Sequence, residues 1–126
     1  MKALSTPSAP AALGPYSQGI DAGPFVFVSG QLPVDPATGE IPDGATAQAE
    51  RSFANVRAIL AAAGLGPEHV VKTTVFLSDL ADFAAVNEVY ARAFSAPFPA
   101  RSCVQAAALP RGARLEVEAI AVHTTD

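Results

Sequence analysis

A chain of 126 residues, 50% hydrophobic and only 16% charged, is the size of one domain, 1–126, built on a single core; charged side chains usually make up about a quarter of a soluble domain, so either another subunit covers part of the outside or the composition is simply alanine-rich. Formal net charge is −4 and the eight Lys and Arg residues are scattered singly, which leaves no basic stripe to neutralise phosphates and argues against nucleic-acid binding. No apolar run reaches the roughly 18 residues of a membrane span, Met1 to Pro7 lacks the apolar core of a secretory leader, and the single cysteine, Cys103, excludes an intrachain disulfide and fits a reducing cytoplasm.

Pro7 to Pro15, rich in alanine and proline, is predicted to run extended. Phe25 to Ser29 reads as a strand, entered through Gly23-Pro24 and left at Gly30. Pro33 to Gly44, with its prolines and Asp35 and Asp43, reads as loop. Thr46 is the predicted N-cap of a first helix and Gly64 its left-handed terminator. Between them Ala49, Phe53, Val56, Leu60 and Ala63 form one apolar stripe. Val70 to Leu77 is dense in β-branched residues and predicts a strand. A second helix is expected from about Ser78 or Asp79 to Phe94, with Phe83, Val86, Tyr90 and Phe94 on its inner face. Asn87 falls on that face too, and a buried amide there must find hydrogen bonds; the plainer alternative is an edge residue bonding nearby backbone. Ala100 to Ala107 and Arg114 to Val122 close the chain as strands, joined by a turn at Leu109 to Gly112. The order strand, strand, helix, strand, helix, strand, strand predicts an α+β fold with both helices on one face of a sheet.

The last two strands carry the polar residues that need explaining. Alternation puts Arg101, Cys103 and Gln105 on one face, and Glu116 and Glu118 together on one face of the next strand. Paired as a hairpin, the two would bring an arginine and carboxylates to one side of the sheet. One reading is a cross-strand ion pair. The other is a functional arginine, whose planar fork grips a carboxylate through two parallel hydrogen bonds. Cys103, with no histidine neighbour in the pattern, reads as a small buried apolar residue rather than a nucleophile. His69 and His123 are isolated and show no metal-ligand spacing.

Six blocks then occur in a recognisable order: Gly14-Pro15-Tyr16-Ser17-Gln18, Val28-Ser29-Gly30-Gln31, Val71 to Leu77, Phe83 to Asn87, Pro99-Ala100-Arg101-Ser102-Cys103-Val104 and Glu116 to Val122. Together they resemble the RidA/YjgF family over nearly the whole chain. The resemblance implies a chorismate-mutase-like fold of the bacillus type, one mixed β-sheet with two helices on one face. It also implies a homotrimer with sites in the clefts between subunits, whose assembly would bury the other sheet face. The implied activity is hydrolysis of 2-iminopropanoate and 2-iminobutanoate to 2-keto acids and ammonia, protecting pyridoxal-phosphate enzymes from reactive intermediates. Arg101 matches the carboxylate-binding arginine, Glu116 the water-activating glutamate, and Tyr16, Ser29, Gly30, Asn87 and Cys103 the other cleft positions. Tyr16 is the expected partner of the imine nitrogen, and Glu118 the expected structural acid. No metal or cofactor is implied, because an imine carbon is already electrophilic. The loop Ser95-Ala96-Pro97-Phe98 is shorter than in some members of the family, which touches cleft shape. Three alternatives stay open: a deaminase for another enamine of the aminomuconate type, a non-catalytic ligand-binding or chaperone-like trimer, and an RNA-acting translation inhibitor.

Overall fold

The computed structural model describes residues 1–124. Its elements run β1 (Lys2–Leu4), β2 (Gly19–Asp21), β3 (Phe25–Gln31), α1 (Ala45–Ala62), β4 (Val70–Leu77), α2 (Phe83–Ala93), β5 (Ala100–Gln105) and β6 (Leu115–Val122). One six-stranded sheet has the order β1-β2-β3-β6-β4-β5. Every neighbouring pair is antiparallel except β4 and β5. The expected α+β architecture with one mixed sheet and two helices is what forms, with one more short strand before α1 than expected.

The helices cover one sheet face because the apolar alternation of β3, β4 and β6 points there. Val26, Val28, Val75, Leu77, Leu115, Val117, Ala119 and Ala121 are buried against Phe53, Val56, Ile59 and Leu60 of α1 and Val86, Val89 and Tyr90 of α2. Each large aliphatic or aromatic side chain removed from water contributes about 1.5–3 kcal/mol. The first helix begins one residue before the predicted cap: Gly44 occupies the cap position at φ 89°, with no side-chain cap. Its end matches the expectation. Gly64 is left-handed at φ 76°, and Gly64 N and Leu65 N donate to Ala61 O and Leu60 O at 3.0 and 2.9 Å, closing the helix as a Schellman motif. The second helix starts later than predicted. Asp79 accepts from Ala81 N at 2.8 Å and caps a 3-10 turn, Leu80–Asp82, from which α2 continues.

Two buried amides fasten the irregular segments. Gln18 donates to the carbonyls of Thr6, Ala9 and Pro10 and accepts from Thr6 N, folding the extended N-terminal segment onto the sheet. Asn55 in α1 donates to Leu32 O at 3.0 Å and Val34 O at 2.9 Å, which anchors the loop after β3.

Candidate active site

The register corrects the expected arrangement of the closing strands. They do not form a hairpin, because β4 lies between them: β5 pairs only with β4, in parallel, and β6 pairs with β3 and β4. The α2 crossover returns the chain parallel to β4, and Ala106 to Arg114 then carries it past β4 to β6. Paired residues share a face. Arg101 is opposite Thr73 and Cys103 opposite Val75, so both lie on the helix-covered side. Glu116 is opposite Phe76 and Glu118 opposite Thr74, on the open side. Arg101 and Glu116 of one chain are therefore on opposite faces, and the intrachain ion pair is excluded. Ser102 and Val104, opposite Thr74 and Phe76, share the open side with the two glutamates.

The predicted site residues fall into two groups. The first surrounds Arg101 at the exposed edge of β5. Its Nη1 donates to Asn87 Oδ1 at 2.8 Å, so Asn87 is an exposed partner of the guanidinium rather than a backbone ligand. The guanidinium carbon lies 4.6 Å from the ring centroid of Tyr90 and 5.5 Å from that of Phe83. Phe83, expected in the core, is exposed instead and flanks the arginine. Asn87, Tyr90, Ala91, Phe98, Pro99 and Arg101 line a cavity of about 460 Å³, and the loop Ser95-Ala96-Pro97-Phe98 contributes Phe98 to its rim. Cys103 is part-buried, and burial raises its thiol pKa against the opposing pull of Arg101. That keeps it a neutral thiol, packed against the core, rather than a thiolate nucleophile.

The second group gathers where β3 departs from regular pairing with β6. The register shifts between Val28 and Gln31, placing Ser29 and Gly30 in a bulge, a feature that re-aims backbone near functional sites. Ser29 Oγ donates to Ser17 O at 2.6 Å and Ser29 N to Gln18 O at 2.9 Å, tying the bulge to the segment that carries Tyr16. Tyr16 is exposed and shares with Gly30 the wall of a second cavity, of about 290 Å³. Glu116 presses its carboxyl against Gly30. A Cβ at Gly30 would overlap the Glu116 carboxyl oxygen and come within 2.9 Å of its Cδ, so glycine is needed here for space. Burial, and then Glu118, push the Glu116 carboxyl above the ordinary glutamate range, a direction that suits a proton acceptor working near neutrality.

Sequence reasoning missed Tyr90 and Phe83 as site residues. Their spacing with Asn87 along α2 was visible, but an aromatic stripe at helical spacing reads as core. Among the described residues no cluster of His, Cys, Asp and Glu could hold a metal ion, and no helix is long and apolar enough to cross a membrane.

Comparison with known proteins adds three kinds of likeness. Residues 6–123 match the family model described as endoribonuclease L-PSP. A 2-iminobutanoate/2-iminopropanoate deaminase of Escherichia coli is 54% identical over 125 residues, covering 97% of this chain and 98% of that protein. Among solved structures, Escherichia coli TdcF with bound serine superposes with TM-score 0.94 at 50% identity, covering 98% of this chain and 100% of that one. RidA from an Antarctic Psychrobacter superposes with TM-score 0.94 at 48% identity, over 97% and 99%.

Proposed function

The chain belongs to the endoribonuclease L-PSP family, known also as RidA/YjgF, and from that premise we propose that it hydrolyses small 2-imino acids such as 2-iminopropanoate and 2-iminobutanoate to 2-keto acids and ammonia. The name of its Escherichia coli relative, at 54% identity, supports the reaction. The observation that carries the reading is Arg101: its Nη1 is engaged by Asn87, no partner among the described residues occupies its other N–H groups, and the residue lines a cavity of about 460 Å³. An arginine held in this way is built to take a carboxylate.

The two faces of the sheet supply the rest of the proposal. Arg101 with Asn87 and Cys103 forms one half-site, and Tyr16, Ser29, Gly30 and Glu116 form the other. Two chains related by rotation would bring unlike halves together across one cleft, and a homotrimer supplies three such clefts. Phe25, Phe27 and Val104, exposed on the open sheet face, are the apolar surface such an assembly would cover.

Within the cleft Arg101 fixes the substrate carboxylate, and backbone groups at Ser29 and Gly30 hold the other end; such positioning lowers the barrier by several kcal/mol. Glu116 takes a proton from water as the water oxygen bonds to the imine carbon. The C=N π electrons pass to nitrogen, which receives the proton that Glu116 took from water, with Tyr16 orienting it. The carbinolamine then collapses to the keto acid as the C–N bond breaks and ammonia leaves. No step calls on a cofactor, and the reading places the protein in the cytoplasm, where pyridoxal-phosphate dehydratases release such imines. The family description makes RNA cleavage a second reading; the net charge of −4 gives it no electrostatic footing, and salt-dependent RNA retention would favour it.

A coupled assay tests the proposal. A dehydratase generates the imine from serine or threonine, and keto-acid release is followed with wild type, Arg101→Ala and no added protein. Wild type accelerates release, and the variant loses at least about a hundredfold in kcat/KM while remaining folded. Normal turnover by Arg101→Ala would overturn the mechanism.

A further inference from the structure

An arginine at an exposed sheet edge samples many rotamers, and a carboxylate clamp works best when its plane is fixed before the ligand arrives. Asn87 holds one nitrogen of Arg101 but leaves the tilt of the plane free. The tilt is set by the aromatic face beneath. Tyr90 presents its ring 4.6 Å from the guanidinium carbon, within the range of a cation–π contact. That ring is itself immobilised from several directions. Phe53 meets it edge-on at 5.7 Å and 77°, and Phe94 lies 4.7 Å away. Its hydroxyl and Thr73 Oγ1 are hydrogen-bonded at 2.8 Å, Thr73 being fully buried on β4 and the register partner of Arg101. A single side chain thus connects the core of α1 and α2, the central strand and the clamp.

We propose that Tyr90 is a positioning residue for the carboxylate clamp: its ring, fixed by Phe53 and Phe94, holds the Arg101 guanidinium in one plane with its unpaired N–H groups toward the cleft. The inference rests on the reading of Arg101 as a carboxylate ligand. The ring does the positioning, held by Phe53 and Phe94, while the bond between the hydroxyl and Thr73 contributes to stability. Burial raises the Tyr90 hydroxyl pKa above its ordinary value, against the opposing effects of Thr73 and Arg101, so the hydroxyl stays protonated at neutral pH.

Tyr90→Phe, Tyr90→Leu and Tyr90→Met separate these roles, with imine hydrolysis and titration with 2-oxobutanoate, a product-class 2-keto acid, as readouts. Tyr90→Phe keeps the ring, so KM and the 2-oxobutanoate Kd stay within about twofold of wild type, while Tm falls because Thr73 loses its partner. Tyr90→Leu and Tyr90→Met raise KM and that Kd about tenfold, with a smaller change in kcat. A merely structural tyrosine would lower Tm and the active fraction without moving KM. Wild-type KM and Kd in folded Tyr90→Leu or Tyr90→Met, or equal impairment in Tyr90→Phe, would overturn the proposal. Methionine fills the space flexibly and serves if leucine prevents folding. Inactivity of wild type toward imines would count against the functional reading alone. The platform would then be read from the Arg101 Hδ protons, shifted upfield by the ring in wild type and Tyr90→Phe; no such shift in either would overturn it.

Discussion

Glu116 rests against Gly30 with its carboxyl part-buried, and a second carboxylate, Glu118, stands two residues along the same face. Burial first, and Glu118 second, raise its pKa, so the folded chain holds this proton more tightly than the unfolded chain. Stability therefore falls as pH rises from the ordinary glutamate range through the raised value, and the loss persists at neutral pH. Glu116→Gln removes it. We expect the variant to melt above wild type at pH 7, the gap closing below about pH 4 where both side chains are neutral, while hydrolysis is lost. On the proposed reading this is the familiar opposition of stability and activity at a catalytic position. Melting scans at the two pH values decide it, and a variant that melts below wild type at neutral pH would contradict the stability cost assigned to the Glu116 carboxylate. Alternation along the closing strands singled out Arg101 and the two glutamates. It left Arg101 balanced between ion pair and ligand clamp, and only the strand register removes the ion pair. Tyr90 was illegible as a site residue because burial and function ask for the same residue type at the same spacing.

At the scale of elements, local chemistry reads well where one residue type has one use. Gly64 ends α1 with a positive φ, and β4 spans Val70–Leu77 as its β-branched density requires. The hairpin expectation failed because periodicity reports faces and is blind to which strand lies beside which. The nine residues from Ala106 to Arg114 fit a chain stepping over β4 as well as a long turn. The start of α1 was misplaced because Thr46 looks like a cap, whereas Gly44 reaches the cap position with a backbone conformation that needs no side chain. The loop after β3 has no regular structure, and its position depends on Asn55, which is fully buried and spans the carbonyls of Leu32 and Val34. Asn55→Ala strands both carbonyls and opens a small cavity. A loss of about 2–4 kcal/mol in denaturant unfolding is expected, whereas a loss under about 0.5 kcal/mol, the scale of an ordinary surface change, would contradict the anchoring role.

For the whole molecule, sparse charge and an uncovered sheet face bear on the same question. The helices bury one side of the sheet, and Phe25, Phe27 and Val104 on the other remain 44–46% exposed, a liability for an isolated chain. Arg101 and Glu116 lie on opposite faces, and on the proposed reading this gives the same surface a chemical purpose, each chain carrying two halves of different sites. Mixed refolding of two inactive variants, Arg101→Ala and Glu116→Gln, tests this directly. If each site takes Arg101 from one chain and Glu116 from its neighbour, random equimolar trimers contain native pairs at about a quarter of their clefts and recover about a quarter of wild-type imine hydrolysis. If both residues served the same site from one chain, every site in the mixture would lack one of them, and no activity would return.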